Sequence, residues 1–166
     1  MEKIIFSLID YMMGFIEVVM YYGFMSARFG KTQNHPVNKR WMMYIIGGIG
    51  VYITKPLGVS WPLVLIIHIV ILLCIAHYAF KKDILEEAIF TIFYLVILYL
   101  LDLLVITVFG GNNPIVNQLM DYQTTYFYIQ LGLISKLLLI GIVKIFIELE
   151  KNKLYQLTPQ VRGLMG

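Results

Sequence analysis

Long apolar stretches separated by short polar segments run from one end of the chain to the other. Most of them approach or reach the roughly 20 residues that a helix needs to cross a bilayer core about 30 Å thick. Helix breakers interrupt the apolar pattern at residues 55–58 and 110–114, where proline and glycine occur together. The pattern predicts five transmembrane helices, at residues 4–25, 41–54, 61–80, 88–109 and 126–147.

A further helix is predicted near the end of the sequence. Thr158 suits an N-cap and Pro159 suits the first helical position, so a sixth span is expected to begin there. The predicted fold class is therefore all-α. It is a single polytopic transmembrane helical bundle over residues 1–166, with five complete spans and the start of a sixth.

Composition supports a membrane protein and argues against an enzyme. Hydrophobic residues make up 60% of the chain and charged residues 14%, with a mean hydropathy of +0.79. This is more apolar than an ordinary soluble domain, and the spans leave almost no sequence for a soluble catalytic domain. Cys74 is the single cysteine, which excludes an intrachain disulfide and a thiolate metal cluster. We expect no catalytic residues, no metal and no cofactor.

Basic residues predict the orientation in the plasma membrane. Lys and Arg concentrate in alternate loops, and such loops stay cytoplasmic, so the N-terminus is expected outside and the C-terminal tail inside. The net charge of +3 is explained by these loops and not by a nucleic-acid-binding stripe, because the basic residues do not interleave with aromatic ones. The basic side contains Arg28, Lys31, Lys39, Arg40, Lys81, Lys82, Lys151, Lys153 and Arg162, and the other side contains Lys3 and Lys55.

Ionisable residues inside the spans are the candidate functional residues, since each costs about 2.5 to 3.5 kcal/mol to insert. In the first span, Asp10, Gly14, Glu17 and Tyr21 are spaced so that they share one helix face. We expect this face to look into the bundle. Two interpretations stay open for Asp10 and Glu17, a ligand pocket or a packing surface.

Asp102 and Lys136 are predicted to form an intramembrane ion pair. With a rise of about 1.5 Å per residue, Asp102 lies about 21 Å from the cytoplasmic end of the fourth span, and Lys136 lies about 15 Å from the outer end of the fifth. These depths nearly match in neighbouring antiparallel helices. The pair is either a structural clamp that neutralises both charges or a switch for signalling or transport.

The outer loop and the third span offer two further candidates. Residues 110–125 mix polar and apolar side chains, and Asn113 and Asp121 are predicted first contacts for an extracellular ligand, unless the loop is only a connector. In the third span, Cys74 and His77 share a helix face, which would suit a peptidase, but packing is the ordinary role of such a pair.

The order of these features resembles a known family. The first helix carries Glu17, and a basic loop and a helical hairpin follow it. Residues 81–84 then precede the fourth span, and Ser135 and Lys136 lie in the fifth. This order is similar to the membrane sensor region of the peptide-pheromone histidine kinases of Gram-positive bacteria, the accessory-gene-regulator and competence type with a GHKL ATPase domain. The resemblance spans the whole chain and rests on the pattern of spans. It implies helices that bind a secreted peptide and control a cytoplasmic kinase dimer.

We therefore expect a membrane-embedded sensor or ligand-binding module, the receptor part of a peptide-sensing histidine kinase. Two other classes are alternatives. One is a small-solute transport subunit that resembles the substrate-binding membrane components of vitamin uptake systems, and the other is an assembly or scaffold protein of the cell envelope. The expected partners are the lipid bilayer, an extracellular peptide or small solute, and a second copy of the chain or another membrane protein. Nucleic acid is not among them.

Overall fold

The protein is built from helices throughout the part of the chain that the structure describes. The structure is a computed structural model that describes residues 2–30, 37–54, 61–110 and 122–164. Within these ranges there is no strand, so the all-α prediction is confirmed. The elements are α1 (Glu2–Phe29), α2 (Val37–Thr54), α3 (Trp61–Phe80), α4 (Ile84–Val105), a π-helical turn (Ile106–Gly110) and α5 (Tyr122–Leu164).

Within the described ranges, four helical segments are long and apolar enough to cross a membrane, as in a helical membrane protein. The segments are Ser7–Phe29, Pro62–Phe80, Ile84–Val108 and Ile129–Asn152. α2 is not one of them, because Asn38, Lys39 and Arg40 occupy its first turn and leave a short apolar part. The predicted number of spans, five and the start of a sixth, is therefore not confirmed.

The fourth helix begins earlier than the predicted residue 88. Asp83 is its N-cap, and the Asp83 side chain accepts a hydrogen bond from Leu85 N at 3.0 Å. Glu86 and Glu87 lie in the first turn, where carboxylates interact favourably with the helix dipole. The link from α3 takes only residues 81–83. This short link brings Glu87 into the helical bundle.

The last helix is longer than the sequence pattern predicted. α5 continues past the membrane-crossing segment through Thr158 and Pro159 to Leu164, so no new helix begins at Pro159. Residues 148–157 contain no glycine or proline. Elongating an existing helix avoids the cost of nucleating another. The structure therefore has one helix of 43 residues where the sequence predicted two.

α1 is the centre of the bundle, since it contacts each of the other four α-helices. Its inward residues are fully buried or nearly so, including Val18, Tyr21, Phe24 and Met25. Apolar side chains on the outer surface of the other helices are exposed, as in Leu100 and Leu137. Such a surface suits lipid, which is as apolar as the side chains themselves.

Glycines let α2 approach α1 closely. A Cβ added at Gly48 would lie 3.2 Å from Phe15 Cα, and one added at Gly14 would lie 3.4 Å from the Gly48 carbonyl oxygen. Small residues at such positions allow helix backbones to touch in membranes, where van der Waals packing replaces the hydrophobic effect as the driving force.

We expect Gly48→Val to destabilise the protein by about 2 kcal/mol, because overpacking forces the two backbones apart. The matched control is Gly141→Val, since no atom lies within 4 Å of a Cβ added at Gly141. Thermal unfolding in detergent measures both variants. Equal midpoints for the two would contradict the close contact between α1 and α2.

Candidate functional site

Lys136 is buried between two carboxylates that come from two other helices. Its Nζ atom lies 2.9 Å from Glu17 Oε1 and 3.1 Å from Asp102 Oδ1. The Lys136 side chain is 6% exposed and that of Glu17 is 10% exposed. A charge at this burial is stable only when it is paired and hydrogen-bonded. One ammonium therefore joins α1, α4 and α5.

The carboxylate of Asp102 is held by two consecutive residues of α5. The Ser135 hydroxyl donates to Asp102 Oδ1, and Lys136 Nζ also lies 3.4 Å from Asp102 Oδ2. Asp102 occupies the last turn of α4, and the backbone N–H of Ile106 is shared between the carbonyl oxygens of Asp102 and Leu103. The helix then widens into the π-helical turn, a geometry that is frequent at functional sites.

A polar cavity of about 260 Å³ opens beside this cluster. Across it, His68 Nδ1 and Tyr99 OH lie 2.8 Å apart, and their rings are stacked. Apolar side chains complete the wall. The lining residues are Met13, Glu17, His68, Leu98, Tyr99, Asp102, Ile106, Leu131, Gly132 and Lys136.

The charges of the cluster do not balance. Glu17 and Asp102 supply two carboxylates and Lys136 supplies one ammonium, so with a neutral His68 the described groups that line the cavity carry a net charge of −1. Asp102 is the more accessible carboxylate, with its side chain 35% exposed. The arrangement can therefore attract a cation into the cavity.

Hydrogen bonds continue along the contact between α1 and α4, away from the cavity. Tyr94 OH donates to the backbone carbonyl oxygen of Glu17 at 2.7 Å. Thr91 donates to the Glu87 carbonyl oxygen, so Tyr21 OH, 2.7 Å from Thr91 Oγ1, is the donor to Thr91. These bonds fix the register of the two helices from the cavity to the turn between α3 and α4.

A second buried polar cluster, formed by Glu87, His77 and the backbone N–H of Lys82, lies at that turn. Glu87 is fully buried, and its Oε1 atom accepts a bond from Lys82 N at 2.9 Å. Its Oε2 atom lies 3.0 Å from Nδ1 of His77, whose side chain is half exposed. Glu87 thus joins the end of α3, the turn and the start of α4.

The structure brings together some of the residues singled out in the sequence. Asp102 and Lys136 lie in contact, and Glu17 joins them. Tyr21 shares the buried face of α1 but does not line the cavity, because it bonds to Thr91. The side chain of Asp10, and the whole of residues 113 and 121 (Asn113 and Asp121), fall outside the described residues.

Sequence reasoning missed several members of the site. It assigned no cation to Glu17, and it did not select His68, Tyr99 or Ser135 as site residues. The predicted fourth span begins at residue 88 and leaves Glu87 out, although Asp83 followed three residues later by Glu86 is a helix-start signal that includes it.

The alternative of a Cys/His peptidase gains no support from the third helix. The ring nitrogen Nδ1 of His77 contacts Glu87, and Cys74 is exposed on the outer surface. Among the residues that the structure describes, no group of three or more His, Cys, Asp or Glu side chains could hold a metal ion.

A comparison with protein-family models, curated proteins and solved structures finds no match for this chain. The fold and the site by themselves define a class of protein. The chain is a multi-helix membrane protein with a charged cluster buried at the contact of three helices and a polar cavity beside it.

We expect Lys136→Met to destabilise the protein by about 3 kcal/mol, because it leaves the buried carboxylate of Glu17 and the partly buried carboxylate of Asp102 without their cation. Lys144→Met is the matched control, since Lys144 lies on the same helix and is exposed. Thermal unfolding in detergent measures both. If the two variants unfold alike, Lys136 does not hold the three helices together.

Alanine variants of two adjacent glutamates test how much the buried polar cluster around Glu87 contributes to stability. Glu87→Ala removes the acceptor of Lys82 N and the partner of His77, so we expect a loss of about 2 kcal/mol in unfolding free energy. Glu86→Ala breaks only an exposed pair with Arg28, at 3.3 Å, and should change stability little. Chemical unfolding of both variants in mixed micelles gives the comparison, and a larger loss at Glu86 would refute the assignment.

Proposed function

We propose that this protein is a membrane-embedded sensor module that binds a ligand in the cavity beside Lys136. The observation that carries this proposal is that the cavity wall contains all three members of the ion cluster joining α1, α4 and α5. A ligand in the cavity must contact the same groups that set the arrangement of these helices. Binding energy can therefore shift that arrangement.

α5 provides the output of this sensor. The helix carries Lys136 at the cavity and then continues without interruption beyond its membrane-crossing segment to Leu164. At about 1.5 Å per residue, its 43 residues extend about 65 Å. A shift or rotation of α5 at Lys136 is thus carried by one rigid element to the far end of the chain.

The proposed sensor has its N-terminus outside the cell and binds an extracellular ligand. The excess of Lys and Arg on one side supports an outside N-terminus in the plasma membrane, and α2 is then a fifth crossing that relies on its close packing with α1. In this orientation the cavity lies in the outer half of the bilayer. The resemblance to peptide-pheromone receptors supports an extracellular peptide as the ligand and a cytoplasmic histidine kinase as the partner.

A transport subunit is the second candidate, and the same cavity favours it. Ionisable groups buried within a membrane mark substrate and ion pathways as well as sensors. The two functions differ in a measurable way. Transport predicts energy-dependent accumulation of a solute when the chain is paired with an ATPase module, whereas a sensor accumulates nothing.

Thiol labelling tests whether the cavity is open to the outside. In a Cys74→Ser background, we expect the Leu131→Cys variant to react with a cationic, membrane-impermeant thiosulfonate reagent added to intact cells, because Leu131 lines the cavity. The Leu133→Cys variant should not react, since Leu133 is exposed on α5 and does not line it.

Labelling is read by a mass shift of the purified protein. Reaction at Leu131→Cys only in inside-out vesicles would reverse the proposed orientation. No reaction from either side would mean that the cavity is closed to water, and the ion cluster would then be a structural clamp.

A further inference from the structure

An apolar groove between α3 and α4 adjoins the polar cavity. The groove has a volume of about 590 Å³ and shares Tyr99, Asp102 and Ile106 with the cavity. Its remaining wall is aliphatic and comes from both helices. Leu65, Ile69, Ile92, Leu95, Val96 and Leu100 contribute to it.

The groove faces the lipid side of the bundle. Ile92, Val96, Leu100 and Leu103 line it and are all exposed in the described structure. Asp102 lies where the groove meets the cavity, and its carboxylate is the more exposed of the two that contact Lys136. A molecule bound in the groove would therefore contact aliphatic side chains along its length and the carboxylate of Asp102 at one end.

We propose that the cavity and the groove together bind one amphipathic molecule, with a cationic amine in the cavity and an apolar chain in the groove. The proposal rests on the function proposed above and states the chemistry that its ligand needs, whether peptide or small molecule: a cationic amine next to an apolar segment. Charge complementarity supports the amine, because the described groups that line the cavity carry a formal net charge of −1 when His68 is counted as neutral. The residues that both sites share, Tyr99, Asp102 and Ile106, support a single occupant of both.

The expected contacts follow from the geometry. The amine binds at Asp102, where it supplies the positive charge that Lys136 alone does not. Lys136 remains paired with Glu17 at 2.9 Å, so the ammonium of the protein need not leave. An anionic headgroup would meet two carboxylates, which disfavours fatty acids as ligands.

Photoreactive dodecylamine and photoreactive dodecanol, matched in chain length, test this proposal on the whole chain in phosphatidylcholine nanodiscs. We expect the amine to label α3 and α4 in the groove about tenfold more than the alcohol, since both probes donate a hydrogen bond to the carboxylate but only the ammonium adds an attraction between opposite charges. Asp102→Asn should remove the preference for the amine, and Asp102→Glu should keep it. Mass spectrometry of the cross-linked peptides gives the readout.

A second pair of variants tests the groove. Val96→Trp should fill it and lower labelling by both probes severalfold. Val70→Trp is the control, because Val70 is exposed on α3 but does not line the groove. Thermal unfolding of each variant confirms that it is folded before labelling is compared.

Three results would overturn the proposal. Equal labelling of the unmodified protein by amine and alcohol would show that the site does not select a cation. Unchanged labelling in Val96→Trp would place the probe elsewhere. Labelling of the groove only in nanodiscs that hold a single copy of the chain would make the groove a dimer contact. Equal labelling together with a reactive Leu131→Cys variant would refute this ligand class and leave the proposed sensor intact.

Discussion

The ammonium of Lys136 is almost entirely buried within the helical bundle, and the neighbouring helices supply the charges that stabilise it. A buried lysine without a partner would lose its charge or unfold the protein, so the carboxylates of Glu17 and Asp102 must reach it at the same depth. A slip of α1 or α4 by one helical turn would move its carboxylate about 5.4 Å along the helix and break the contact. The cluster therefore fixes the register of α1, α4 and α5 relative to one another.

Polar contacts elsewhere in the bundle maintain the same register. Tyr94 and Tyr21 form hydrogen bonds between α1 and α4, on the side of the cluster that faces the turn between α3 and α4. At that turn, Glu87 accepts a hydrogen bond from Lys82 N. Apolar packing is less directional, because lipid tails solvate aliphatic side chains about as well as other helices do. In this environment the few hydrogen bonds between helices specify the arrangement, and close packing at glycines such as Gly48 adds to it.

In the proposed sensor, the ligand acts on the few polar contacts that set the arrangement of the helices. Asp102 belongs both to the ion cluster and to the wall of the cavity and groove, so a bound cation would share its carboxylate with Lys136. Any change in that pairing acts on α5 through Ser135 and Lys136. The uninterrupted length of α5 then connects the event in the membrane to the segment beyond it. A ligand needs only a differential affinity for two helix arrangements to shift their populations.

The sequence by itself determined the all-α class and the proximity of Asp102 and Lys136. Both follow from properties of single helices, since apolar length identifies a span and the fixed rise per residue gives the depth of a charge within it. It did not identify Glu17 as the second partner of Lys136, the wall formed by His68 and Tyr99, or the separation of Tyr21 from the cavity. Only the tertiary structure decided these, because they depend on which helices are neighbours and how each is rotated. Those choices result from the packing of all the helices together, which no single segment encodes.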